Sequence, residues 1–79
     1  MTNQITFPES FIERPHPLFK SGKQWTLKTN RREISIVGGG GGLYGNGVTT
    51  FEYWDYSEDR PIGFLTKEEI NEKLSQLTF

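Results

Sequence analysis

Residues 24–37 read QWTLKTNRREISIV, and the period of their apolar side chains decides the fold. Trp25 and Leu27 alternate with polar neighbours before the polar centre, and Ile34 and Ile36 do the same after it. A period of two belongs to half-buried strands. If the chain turns at Asn30-Arg31, with Asn30 in the left-handed conformation, Leu27 meets Ile34, Trp25 meets Ile36, and Lys28 meets Glu33 on the opposite side. Every pairing is favourable, so the stretch predicts an antiparallel hairpin with one apolar face.

That face needs a cover, and residues 65–77, LTKEEINEKLSQL, supply one. Thr66 stands three residues before Glu69, the spacing of a capping box in which hydroxyl and carboxylate each satisfy the other's orphan backbone donor. Leu65 and Ile70 flank the cap as a hydrophobic staple, and Ile70, Leu74 and Leu77 recur at helical spacing. A helix over 66–77 follows. Residues 49–56, TTFEYWDY, are β-branched and aromatic and predict a third strand, with apolar side chains on both of its faces. The fold class is therefore α+β: a small antiparallel meander of about three strands with one C-terminal helix packed on one face.

The first 22 residues carry prolines at 8, 15 and 17, which forbid a long helix and discourage a central strand. They predict an extended arm, too apolar at Phe7, Phe11, Ile12, Leu18 and Phe19 to be a free tail, so part of it packs along the sheet. A chain of 79 residues holds one domain, 1–79, with the arm over 1–22 and sheet plus helix over 23–79.

Residues 37–50, VGGGGGLYGNGVTT, raise the question of a phosphate cradle. Gly40, Gly42 and Gly45 satisfy G-x-G-x-x-G after a predicted strand, but that fingerprint must open a helix, and VTTFEYW is a strand former. Residues 42–49, GLYGNGVT, match the P-loop except that Val48 replaces the phosphate-binding lysine. The better reading is a mobile loop joining two antiparallel strands, with Asn46-Gly47 as a turn dipeptide and Tyr44 as the residue a partner would grip. No cofactor is expected.

The strand ending at Val37, the loop GLYG (42–45), the strand FEYWDY (51–56) and the run IGFLTKEEI (62–70) together resemble small uncharacterised proteins of tailed-phage genomes, over residues 33–77. The longer glycine run and the Trp54-Asp55 pair differ from that pattern. The resemblance implies a phage protein acting in the cytoplasm of a bacterial host, and carries over no known activity.

Composition narrows the classes further. Cysteine is absent, which excludes disulfide frameworks, thiolate zinc sites and cysteine nucleophiles, and points to an intracellular chain. No apolar run approaches the roughly 20 residues of a membrane span, and MTNQITFPES has neither the basic start nor the apolar stretch of a signal peptide. Residues 1–50 hold six Lys or Arg against three Glu, and residues 51–79 hold three against seven acids. Opposite charges in one small fold are expected to neutralise one another.

Catalytic and metal chemistry find little support. His16 has no second histidine and is expected to be exposed. Asp55, Glu58 and Asp59 lack the glycine and terminal glutamate of a calcium loop, and predict a solvated acidic turn. Glu68 and Glu69 suit the positive end of the helix dipole. No enzyme, catalytic residue or metal site is expected.

The third strand remains. With Phe51 and Tyr53 in the core, Glu52, Trp54 and Tyr56 project from the other face, where either the arm covers them with Phe7, Phe11 or Phe19, or they meet a partner. The expected function is a protein-binding module with Trp54, Tyr56, Tyr44 and Glu52 as partner-binding residues and a host protein or a second copy as partner. The alternative is single-stranded nucleic acid stacked on the same rings beside Lys28, Arg31 and Arg32, against which Glu52, Asp55, Glu58 and Asp59 place negative charge.

Overall fold

A computed structural model of the chain describes residues 5–18, 21–39 and 45–77. It contains β1 (Ile12–Pro15), β2 (Lys23–Lys28), β3 (Glu33–Gly38), β4 (Phe51–Asp55), β5 (Ile62–Leu65) and α1 (Lys67–Ser75). The strands form one antiparallel sheet in chain order, β1-β2-β3-β4-β5. The α+β class stands, but the sheet has five strands rather than about three. The two missed strands are its edges, each only four residues long, one ending in Pro15 and the other interrupted by Gly63.

The central hairpin takes the expected register, Trp25 opposite Ile36, Leu27 opposite Ile34, Lys28 opposite Glu33. Its turn is built differently from expectation. Phe64 is the only non-glycine residue with positive φ among those described, so Asn30 is not left-handed. The hydroxyl of Thr29 holds the turn instead, accepting from the backbone N–H groups of Arg31 and Arg32 at 3.2 Å each, while Thr29 N–H donates to Arg32 O at 2.9 Å.

The arm becomes part of the sheet and of the core. Ile12 to Pro15 pair with β2, Ile12 opposite Thr26 and Pro15 opposite Lys23. Proline is tolerated there because an edge strand leaves half of its N–H groups outside the ladder. Ahead of β1 the chain curls over the helix side of the sheet and buries Phe7 and Phe11. Phe7 meets the rings of Phe51, Trp25 and Phe11 edge-to-face at 5.0, 5.3 and 5.5 Å. Asn71 of α1 clamps both backbone polar groups of the same residue, its Oδ1 accepting from Phe7 N–H at 2.8 Å and its Nδ2 donating to Phe7 O at 3.0 Å. Ile34, Ile36, Tyr53, Ile70 and Leu74 complete this core, with Leu27, Leu65 and Leu77 packed against it.

The helix begins where its sequence signature places it. Thr66 is the N-cap, and both arms of the capping box are present: Glu69 N–H to Thr66 Oγ1 at 3.2 Å and Thr66 N–H to Glu69 Oε1 at 2.8 Å. It ends at Ser75 with Gln76 as C-cap, two residues short of the expected 77.

The glycines that border the loop between β3 and β4 serve close approach. A Cβ on Gly45 would stand 2.6 Å from Phe51 Cα, and one on Gly38 would stand 2.7 Å from Gly47 Cα. Gly47 also has φ +78°, a conformation that side chains disfavour. Asn46 caps the return, its Oδ1 accepting from the N–H groups of Val48, Thr49 and Thr50 at 2.7, 2.7 and 3.2 Å. The mobile loop of the sequence reading is thus, at its base, a packed crossing of two backbones; residues 40–44, with Tyr44, lie outside the described residues. The chain leaves it into a strand, β4, and not into the helix that a nucleotide fingerprint requires.

Candidate functional site

Alternation along β4 separates two chemistries. Phe51, Tyr53 and Asp55 point to the helix side and are buried, while Glu52 is half-buried and Trp54 and Tyr56 are 37% and 46% exposed on the outer side. The arm does not cover this outer face with Phe7 or Phe11, both of which lie in the core on the other side. Phe19, the third ring weighed for that cover, lies outside the described residues.

Register places the rest of the outer face in rows across the sheet. One row runs Arg14, Gln24, Val37, Glu52 from β1 to β4; the next runs Ile12, Thr26, Ser35, Trp54. A third holds Lys28 opposite Glu33, with Tyr56 beside them through its N–H to Glu33 O at 2.9 Å. The floor over β2 and β3 is small and polar: Ser35 is buried and accepts from Gln24 Nε2 at 3.2 Å. Trp54 and Tyr56 rise along one margin and Ile12 and Arg14 along the other, so the face is a trough. A hollow of about 220 Å³ lies against Trp54, Tyr56, Glu52 and Ser35, and an adjoining one of about 510 Å³ lies against Ile12, Arg14, Lys28 and Tyr56.

The two rings are held by their own strand and turn. They meet edge-to-face, centroids 4.9 Å apart and planes at 85°, and Trp54 Nε1 donates to Glu58 O at 3.2 Å. Aromatic side chains fixed in this way lose little conformational freedom when a partner covers them. Of the four expected partner-binding residues, the fold brings Trp54, Tyr56 and Glu52 together. Arg14 and Ile12, which share the trough, were not found from sequence because β1 was read as arm. The alternation of Phe11 and Glu13 against Ile12 and Arg14 is the signal that carried them.

Two site expectations need correction. Asp55 does not belong to a solvated turn: it is 4% exposed, faces the core side, and forms a buried ion pair with Arg32. Burial pushes its carboxyl upward, but hydrogen bonds from Ser57 N–H at 3.0 Å, from Ser57 Oγ at 2.8 Å and from the Arg32 guanidinium prevail and hold it below the usual carboxylate range. Glu58 and Asp59 are exposed as expected. The neighbouring Tyr53 hydroxyl is pushed up to about 12, by burial first and then by the Asp55 charge, so it stays protonated at neutral pH. His16 is half-buried rather than exposed, with Nδ1 accepting from Leu18 N–H at 3.0 Å at the end of the trough.

The sheet margins are poor templates for an added strand. β1 carries Pro15. On β5 one extra residue opposes the span between Phe51 and Tyr53, and Phe64 takes φ +58° there, so the edge is bulged. Among the described residues no group of three or more His, Asp or Glu side chains converges to hold a metal ion, and no helix is long and apolar enough to cross a membrane.

No protein-family model, curated protein or solved structure matches this chain.

Proposed function

We propose that this chain is a small protein-binding module of the tailed-phage type, which docks a protein surface on the outer face of its sheet and can occupy a surface of a host protein in the bacterial cytoplasm. Trp54 and Tyr56 are the anchors, Glu52 and Arg14 the charged rim, and Tyr44, outside the described residues, a further anchor. The observation that carries this reading is the pair of immobilised, exposed rings beside a trough on a face that Phe7 and Phe11 leave open. Blunted edge strands favour docking on the face over strand addition.

Nucleic acid suits the face less well. Successive bases stack on parallel ring surfaces, whereas Trp54 and Tyr56 stand nearly perpendicular, with Glu33, Glu52 and Glu58 around them. Among the described residues the face offers no converging nucleophile, base and orienting group, and we assign it no reaction.

The test is titration of a protein captured from bacterial lysate into isotope-labelled chain. Shifts concentrated at Glu52, Trp54 and Tyr56, with a loss of affinity of roughly 30-fold for Trp54→Ala/Tyr56→Ala, are expected. Shifts confined to the helix side, or undiminished binding by a folded double variant, would reject the reading. Saturable, salt-sensitive shifts at the same rings with a single-stranded oligonucleotide would transfer the site to nucleic acid.

A further inference from the structure

We infer that the partner on the outer face is a second copy of this chain, packed face to face about a two-fold axis running along β3; this rests on the outer face being a protein-docking surface. Five strands in chain order place β3 at the centre, so a two-fold axis along it lays β4 of each copy over β2 of the other and superposes the whole faces. Rotation about a strand axis keeps the rows in step. Trp54 then sits over the partner's Thr26, where the floor is low, and Ile12 flanks the partner's Trp54. Each copy thus sets its aromatic ridge into the other's trough.

Charge agrees with the same operation. Arg14 and Lys28 lie on the β1–β2 side of the face and Glu52 on the β4 side. Within one chain Arg14 and Glu52 are three strand spacings apart, roughly 14 Å, beyond the reach of a screened interaction. In the pair, Glu52 stands over the partner's Gln24 and next to the partner's Arg14, and Tyr56 stands over the partner's Lys28, an ammonium on a ring face. The like-charged meeting of Glu33 with the partner's Glu33 falls on the axis, where Lys28 lies opposite each in register. A stable interface takes about 600–1,000 Å² from each partner, roughly a tenth to a fifth of the 5500 Å² surface of this chain.

Light scattering and sedimentation of the full chain across a concentration series test this directly. Wild type is expected to reach twice the monomer mass. Arg14→Glu and Glu52→Arg are each expected to be monomeric, because each sets like charges across the interface twice. Mixed in equal amounts they place opposite charges at both contacts, and the mixture is expected to recover a dimer at least about tenfold tighter than either variant alone. Circular dichroism of each variant should match wild type, since both residues belong to the outer face of the sheet and not to its core. A wild type that stays monomeric overturns the self-pairing, as does a wild-type dimer whose charge-reversed variants fail to recover on mixing. If a monomeric wild type still binds a lysate protein through Trp54 and Tyr56, self-pairing alone fails and the docking face stands; a dimer indifferent to Trp54→Ala/Tyr56→Ala refutes pairing through this face.

Discussion

Replacing Phe7 by alanine tests whether the N-terminal segment is an arm or a piece of the core. Phe7 is 1% exposed, meets three other rings edge-to-face, and is fastened through its backbone to Asn71 of the helix. Truncating a buried phenylalanine costs about 3–5 kcal/mol through lost transfer energy and the cavity left behind. Edge-to-face pairs contribute about 0.5–1.5 kcal/mol each beyond area, which places this site toward the upper end of that range. A domain of this length has about 4–12 kcal/mol of total stability, so Phe7→Ala retains at best half to two-thirds of it and at worst does not fold. Urea unfolding followed by tryptophan fluorescence suits the question, because the buried Trp25 ring lies 5.3 Å from the Phe7 ring. Leu18→Ala serves as control: Leu18 is 81% exposed, and its loss should fall within about 0.5 kcal/mol of wild type. A Phe7→Ala loss no larger than that of the control would refute the placement of the segment in the core.

The Arg32–Asp55 pair predicts a pH dependence of known sign. The folded state holds the Asp55 carboxyl below its ordinary value of 3.8, so its contribution is fully present above that value and is lost as pH falls through the folded pKa. Asp55→Asn should therefore cost on the order of 3 kcal/mol at pH 7 by removing the anion from the buried pair, and the gap between variant and wild type should narrow below about pH 4; a gap constant from pH 7 to pH 3 would contradict this. Gly45→Ala should destabilise by about 1–3 kcal/mol, because the added Cβ would stand 2.6 Å from backbone of Phe51, which cannot move aside without disturbing β4. Thermal melting checks it, and a variant as stable as wild type would show that the crossing of the two backbones is looser than described.

What the sequence determined by itself is what local pattern controls. The register of the central hairpin follows from matching two short alternations, since a slip of one residue would turn Trp25, Leu27, Ile34 and Ile36 to water. Thr66 and Glu69 start the helix because both ends of the capping box lie within one turn of chain. The division of β4 into a buried face and an aromatic outer face follows from its period alone, which is why Glu52, Trp54 and Tyr56 were legible as a group.

What only the tertiary structure decided depends on contacts distant along the chain. Which side of the sheet receives Phe7 and Phe11 is settled by Asn71, 64 residues away, and by the space between Trp25 and Phe51. Ile12 and Arg14 join the outer face only because β1 pairs with β2, and a four-residue edge strand with a proline has too little local pattern to announce itself. Asp55 reads as one more acid in a charged turn until the fold brings Arg32 from the neighbouring hairpin beside it. The glycines around the loop between β3 and β4 look like a flexible linker or a phosphate cradle in sequence. Backbones at Gly38, Gly45, Gly47 and Phe51 come within the space of one methyl group, and only side chains without a Cβ allow two strands to leave a loop so close together.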